Sequence, residues 1–329
     1  MVEVRLLFEP EIRDLIGPKE ALEAVREAFG KLARGEAVLP GVIGIDIPEA
    51  RTEAHVKGAY LRGASYFSIK AASGSYNNPS KGLPVSGGLV LVFDVTTGFP
   101  RAVLFDNGYL TDLRTGAAGA LAADLLAKKD VGQLGILGAG TQARYQLEAL
   151  LGVRRPNSVV AWGRSLVRAT AYANEMERRH GVRIKVVSSV AAAVEGSDVV
   201  ITATPSTTPL VREDWVGLGT HITAVGSDAP GKQELDASIL GKADKVVADR
   251  LEQCLAYGEI YHAVRAGVLR EEDVYAELGE IVAGIKKGRE TDEEVTVADL
   301  TGVGVQDAAV ANRVVDEALR RGLGQVLQV

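Results

Sequence analysis

Leu134-Gly135-Ile136-Leu137-Gly138-Ala139-Gly140-Thr141-Gln142-Ala143 joins an apolar run to a glycine-spaced turn and a helix start. Leu134–Leu137 predicts a buried strand, and Thr141–Leu151 predicts a helix. Gly138 permits a tight turn and Gly140 lets a pyrophosphate approach the backbone. Small Ala143 lets the helix pack on the strand. Free N–H groups at the helix start then face the phosphate charge. A plain strand–turn–helix with chance glycines is the bland alternative. The surroundings favour a dinucleotide site.

Downstream the chain alternates regularly. Strands are expected at Ser158–Trp162, Ile184–Val187, Asp198–Thr202, His221–Val225 and Lys245–Ala248, with a helix at Leu166–His180. Such alternation predicts an α/β domain with a doubly wound (Rossmann) parallel sheet covered on both faces. The second strand runs into Ala161-Trp162-Gly163-Arg164-Ser165. An NAD site usually carries Asp or Glu about here for the ribose hydroxyls. Arg164 suits a 2′-phosphate instead, so NADP(H) is favoured and NAD(H) stays possible. A solvated arginine at a helix start is the plain alternative.

Upstream the pattern differs. Residues 10–35 read as helical, with Pro18 opening a segment whose apolar residues recur at helical spacing. His55–Leu61, Tyr66–Ala72, Gly88–Asp94 and Arg101–Phe105 follow as short strands with no helix between them, so a mostly antiparallel sheet is expected. Thr111–Lys128 predicts a helix rich in small residues that can approach another backbone closely and link two domains. The last third reads as helical and rather polar, with a returning helix over Asp307–Arg321.

Composition narrows the function. At 329 residues two cores are affordable, and 47% hydrophobic with 24% charged residues is ordinary for a globular chain. A net charge of −6 offers no basic footprint for nucleic acid. No apolar run is long enough for a bilayer. Met1-Val2-Glu3-Val4-Arg5 lacks a signal-peptide pattern, and Cys254 is the sole cysteine, so a cytoplasmic protein is expected. The four histidines, His55, His180, His221 and His262, show no metal-ligand spacing, and no metal is expected.

Two cations stand out. Lys70 sits in Tyr66-Phe67-Ser68-Ile69-Lys70-Ala71-Ala72, a strand too apolar for a surface lysine. Arg114 stands in the first turn of a helix, where the dipole disfavours a cation unless an anion lies close by. Each also reads as a member of a structural ion pair.

Four stretches occur in order: Leu110-Thr111-Asp112-Leu113-Arg114-Thr115-Gly116-Ala117-Ala118, the glycine loop, Gly226-Ser227-Asp228-Ala229-Pro230-Gly231-Lys232-Gln233-Glu234-Leu235-Asp236, and Thr301-Gly302-Val303-Gly304-Val305-Gln306-Asp307. Together they resemble the ornithine cyclodeaminase/μ-crystallin family over nearly the whole chain. That resemblance implies a homodimer with a discontinuous α+β substrate and dimerisation domain (1–116 and 304–329) around a dinucleotide domain (117–303). It makes Lys70 and Arg114 the carboxylate-binding pair, with Lys70 and Asp228 catalytic and Asp228 the acid/base at the substrate nitrogen. A turn cap before Pro230 is the plain alternative for Asp228. The implied cofactor contacts are Arg114, Thr115, Gly138, Ala139, Gly140, Thr141, Gln142, Arg164, Ser165, Thr204, Pro205, Val225, Gly226 and Thr301.

The chain departs from the family pattern in ways that bear on substrate. Lys57 stands where ornithine-type members carry glutamate. A cation there repels a terminal ammonium and can welcome a second carboxylate. Pro40-Gly41-Val42-Ile43 replaces a segment that often holds a basic residue, Val85-Ser86 replaces a threonine, and Leu300 replaces a serine. The leading expectation is an NAD(P)-dependent oxidoreductase reducing a ketimine or cyclic imine carboxylate, or reductively aminating a 2-oxo acid. The rivals are a cyclodeaminase using bound NAD+ catalytically and a cofactor-regulated binding protein of the μ-crystallin kind.

Overall fold

The computed structural model describes residues 1–75 and 77–329. The chain divides into two compact units: Met1–Arg114 with Val303–Val329, and Thr115–Gly302. The division falls inside one helix.

The chain opens with β1 (Glu3–Phe8), α1 (Glu9–Leu15) and α2 (Pro18–Ala33), then runs through β2 (Ala37–Val38), β3 (Ile43–Ile47), β4 (Thr52–Leu61), β5 (Tyr66–Ser75), β6 (Ser86–Asp94) and β7 (Pro100–Phe105). Pro18 at the first turn and the Glu20 carboxylate on Gly17 N (3.1 Å) start α2. Then α3 (Tyr109–Leu126) leads into β8 (Gln133–Leu137), α4 (Thr141–Leu151), β9 (Ser158–Trp162), α5 (Leu166–His180), β10 (Ile184–Val186), α6 (Ala191–Val194), β11 (Val199–Thr202) and β12 (Thr207–Val211). β13 (His221–Ala224), β14 (Gln233–Leu235), α7 (Ala237–Lys242), β15 (Lys245–Ala248), α8 (Leu251–Cys254), α9 (Glu259–Arg265), β16 (Ala276–Glu277), α10 (Leu278–Val282) and β17 (Thr296–Asp299) complete the second unit. The chain returns through α11 (Gly304–Arg321) and β18 (Gln325–Gln328).

In the first unit the sheet order is β18-β1-β7-β6-β5-β4-β2, with β3 paired to β4. β4 to β7 form an antiparallel meander, as the uninterrupted strands lead one to expect. β1 adds in parallel to β7, and β18 closes antiparallel on β1. Along β4 and β5 burial alternates, so Lys57, Ala59 and Leu61, and likewise Tyr66, Ser68 and Lys70, point inward. α11 packs on β4, β5 and α2. β3 leaves Ile43, Ile45 and Ile47 exposed.

In the second unit the eight-stranded sheet runs β10-β9-β8-β11-β13-β17-β15-β16, every neighbour parallel. The order reverses beside β8, so the crevice of a doubly wound sheet opens at the carboxyl ends of β8 and β11. β11, β13, β15 and β17 are buried at every position rather than alternately, because both faces are covered. The small residues of α3 allow close approach: a side chain at Gly116 would come 2.7 Å from the Tyr145 carbonyl oxygen of α4. The last third of the chain is not simply helical. β15 is the strand expected at Lys245–Ala248, but β17 inside the sheet and β16 and β18 are extended as well. Among the described residues no helix is long and apolar enough to cross a membrane.

Candidate active site

The first unit gathers four charged side chains away from water. Lys57 and Lys70 are partners in the β4–β5 register, and α11 lies across both strands. Gly304 makes this approach possible, since a Cβ there would stand 2.7 Å from the Gly58 carbonyl oxygen. The first turn of α11 therefore delivers Gln306 and Asp307 to the inward face. Lys70 Nζ donates to Asp307 Oδ1 at 2.9 Å and Arg114 Nε donates to the same oxygen at 3.1 Å. Arg114 Nη1 also donates to Gln306 Oε1 at 2.6 Å. Lys70, Arg114 and Asp307 are 4, 5 and 3% exposed, which few unpaired charges could survive.

The anion that the Arg114 position demanded is thus the Asp307 carboxylate. It also suits the amino end of α11. Burial lowers the Lys70 ammonium to about 8, with Asp307 opposing and the charges of Arg114 and Lys57 adding to the fall. Burial tends to raise the Asp307 carboxyl, but Lys70 and Arg114 outweigh it and hold it below the usual carboxylate range. Asp307 Oδ2 and Gln306 Nε2 are buried with no hydrogen-bond partner among the described residues. Polar capacity remains there for a ligand.

The second unit holds the glycine loop. Gly138 has φ 126°, and a side chain there would meet the Ala203 carbonyl oxygen at 2.5 Å. Gly140 caps α4, and a Cβ on it would meet nothing within 4 Å, so open space lies before the helix start. Ala139 and Gly140 turn their carbonyls to Arg144 Nη1 at 2.8 and 3.0 Å, and Glu175 holds the same guanidinium. An α4 start with room in front of it fits a pyrophosphate. Thr141 is exposed, Gln142 partly buried, and Thr115 offers its carbonyl to Gln146 Nε2 at 2.9 Å.

The remaining expected contacts are scattered over the same end of the sheet. Arg164 is exposed beyond β9, and Ser165 caps α5 through its hydroxyl on Arg168 N. Thr204 and exposed Pro205 follow β11, while Val225 and Gly226 follow β13. Asp228 comes next, its side chain 52% exposed and 2.6 Å from Lys232 Nζ. Thr301 is buried, donating to Asp249 Oδ1 at 2.9 Å and accepting from Gln253 Nε2 at 2.8 Å.

The structure therefore brings Lys57, Lys70 and Arg114 together in one unit and places Asp228 with the loop residues in the other. Sequence reasoning passed over Gln306, Asp307, Arg144 and the buried acids Glu234, Glu259 and Asp299. A readable signal existed for two of them: Gln306-Asp307 is a polar pair inside the otherwise apolar Val303–Ala311.

An eight-stranded parallel sheet with a glycine loop at its reversal point defines a dinucleotide-binding fold, here joined to a discontinuous α+β unit. The chain belongs to the ornithine cyclodeaminase/mu-crystallin family, whose model matches residues 4–322. Three solved structures illustrate the likeness. An archaeal alanine dehydrogenase dimer with bound NAD is 41% identical, with a TM-score of 0.93 and 99% of both chains covered. The Delta(1)-pyrroline-2-carboxylate reductase of Thermococcus litoralis, in complex with NADH and L-proline, is 36% identical with a TM-score of 0.93, covering 98% of this chain and 99% of that one. The iminosuccinate reductase of Paracoccus denitrificans, in complex with NAD+, is 35% identical with a TM-score of 0.90 over 100% of each.

Proposed function

We propose that the chain is a nicotinamide-dependent oxidoreductase acting on a small imino or amino acid, reducing a ketimine or cyclic imine carboxylate or reductively aminating a 2-oxo acid. The observation that carries this reading is the buried Lys70–Asp307–Arg114 cluster, two cations gathered on one carboxylate beside buried polar atoms that lack a partner among the described residues. A 2-imino or 2-oxo acid brings the carboxylate that such cations anchor. Asp228, half exposed at the carboxyl end of the sheet, takes or gives the proton at the substrate nitrogen. Lys70, with its ammonium near 8, both anchors the acid and is poised for proton transfer close to neutrality.

A bound nicotinamide supplies or accepts the hydride. The glycine loop and the start of α4 would hold its pyrophosphate, with Thr204, Pro205, Val225 and Gly226 lining the cleft and Thr115 and Thr301 nearer the nicotinamide end. Arg164, exposed beyond β9, offers a guanidinium suited to a 2′-phosphate, and on that ground NADP(H) is the favoured form. Lys57 excludes a substrate with a terminal ammonium and accommodates a second carboxylate. The exposed isoleucines of β3 and the apolar outer residues Tyr60, Phe67 and Ile69 offer the first unit as the surface of a homodimer.

The test is a panel of 2-oxo acids with ammonia or methylamine, together with cyclic imine carboxylates, read by cofactor absorbance. Stoichiometric oxidation of NADPH or NADH supports the reading. Ammonia release and ring closure from ornithine without net cofactor change would replace it with a cyclodeaminase. Tight cofactor binding with no turnover across the panel would replace it with a binding protein.

A further inference from the structure

Glu234 belongs to the Asp228–Asp236 motif, yet the chemistry above gives it no task. It lies on β14 and is fully buried. Its carboxylate accepts four hydrogen bonds from two separate segments. Thr202 Oγ1 (2.6 Å) and Gly226 N (2.9 Å) donate to Oε2, while Thr204 N (2.6 Å) and Thr204 Oγ1 (2.7 Å) donate to Oε1. One segment leaves the carboxyl end of β11 and the other that of β13. Glu234 itself is held in place, because Glu259 of α9 accepts from Glu234 N at 2.8 Å and from Leu235 N at 3.2 Å.

We propose that Glu234 is the positioning residue of the cofactor cleft, its ionised carboxylate fixing the Thr204 and Gly226 segments at the separation a dinucleotide requires. This rests on the reading above that those two segments line the cleft. Each carboxylate oxygen takes one backbone N–H, which can only donate, and one threonine hydroxyl, and the ionised form holds all four at once as charge-assisted bonds. An amide nitrogen at either oxygen would confront a backbone N–H and release that loop, while protonation turns one threonine hydroxyl from donor to acceptor and weakens that oxygen's hold on its N–H. Burial pushes Glu234 up to about 7, against the pull of the Thr202, Thr204 and Gly226 donors. The acidic groups packed behind it are Glu259 on α9 and, beyond that, Asp299 on β17, and both stand above the usual carboxylate range chiefly through burial. The loops are therefore held tightly above neutrality and loosened below it.

The experiment is a titration of the intact protein with NADH and NADPH, followed by nicotinamide fluorescence between pH 6 and 8.5. Wild type should bind more weakly as pH falls through about 7. Glu234→Gln should weaken binding about tenfold or more at pH 8, the loss of charge-assisted hydrogen bonds, and flatten the pH dependence. Its kcat at saturating cofactor should stay within about threefold, because Glu234 reaches no reacting atom. Thr202→Val keeps the side-chain shape in the strand and removes one donor, so the acid fall of cofactor binding should move to higher pH. If wild type binds and neither variant changes the affinity or its pH profile, the assignment of Glu234 is overturned alone. If wild type binds neither dinucleotide, the cofactor reading and this proposal fall together.

Discussion

Lys57 and Lys70 stand directly opposite one another on β4 and β5, two buried ammonium groups forming a single cross-strand pair. Like charges so placed destabilise an antiparallel ladder. The arrangement persists because Asp307 answers Lys70 from α11.

This pairing predicts an alkaline limb in catalysis. Protonated Lys70 anchors the substrate carboxylate, and the neutral amine does not, so kcat/KM should fall as pH rises through about 8. Lys57→Met removes one of the cations that depress Lys70. The limb should move to higher pH, and a limb that stays put would show that Lys57 does not bear on Lys70.

Lys57 should also sort substrates. Its repulsion of a terminal ammonium is worth ~1 kcal/mol at 4 Å in water and more when desolvated. Wild type should give no proline or pipecolate from ornithine or lysine, whereas Lys57→Glu should admit them weakly. Product analysis after incubation with NAD+ decides the matter, and efficient ring closure by wild type would refute the role.

Arg114 and Asp228 should fail differently. Asp228→Asn keeps size and removes basicity, lowering kcat by roughly 10²- to 10⁴-fold while leaving cofactor binding nearly intact. Arg114→Ala should raise KM strongly, since it removes binding shared by ground and transition states. Near wild-type kcat in Asp228→Asn would assign that residue to the turn at Pro230.

Arg164→Asp should move preference from NADPH towards NADH, because a carboxylate repels the 2′-phosphate and accepts from ribose hydroxyls. Paired kcat/KM values for the two cofactors are the measurement. Wild-type binding of NADH at least about tenfold tighter than NADPH would end the argument from Arg164.

His221 should give the protein an acid-side weakness. Its ring is buried between Thr296 Oγ1 (2.9 Å) and Thr223 Oγ1 (3.0 Å), and burial, aided by the Arg289 charge, lowers it to about 3. The unfolded chain takes a proton near 6.5 while the folded one resists until about 3, so stability is full above 6.5 and drains away as pH falls through that window. The contribution is on the order of 5 kcal/mol. His221→Gln, compared with wild type by denaturant titration at several pH values, should be flatter between 6.5 and 3, and parallel curves would contradict this.

How far the sequence carried depends on periodicity. The doubly wound unit was legible because β8, α4, β9 and α5 each have enough residues to declare a pattern, and the expected bounds Thr141–Leu151, Ser158–Trp162 and Leu166–His180 are the observed ones. β17 was not: it is no shorter than β11 or β15, but it follows the polar stretch Arg289-Glu290-Thr291-Asp292-Glu293-Glu294, where no strand–helix alternation leads up to it. β1 and β18 escaped notice because their pairing joins segments at opposite ends of the numbering. The cationic half of the substrate cluster was readable from Lys70 and Arg114 as charges in unsuitable places. Asp307 showed only as half of a polar pair in an apolar stretch, and an acid in the first turn of a helix does not name its partners. Its meaning arises only when β5 is laid beside it.

The interrupted first unit has a consequence for how the polypeptide is made. Lys70 and its carboxylate partner are 237 positions apart, and everything between Thr115 and Gly302 builds the other unit. On a translating ribosome the meander emerges first, while its two facing lysines still lack Asp307. Long-range closure of this kind is slow, because the intervening chain must be brought round before any contact rewards it. The second unit is therefore free to mature before the Lys70–Asp307 pair exists. A nucleotide bound to that unit stabilises it by mass action, and refolding of the denatured protein should run faster with dinucleotide present.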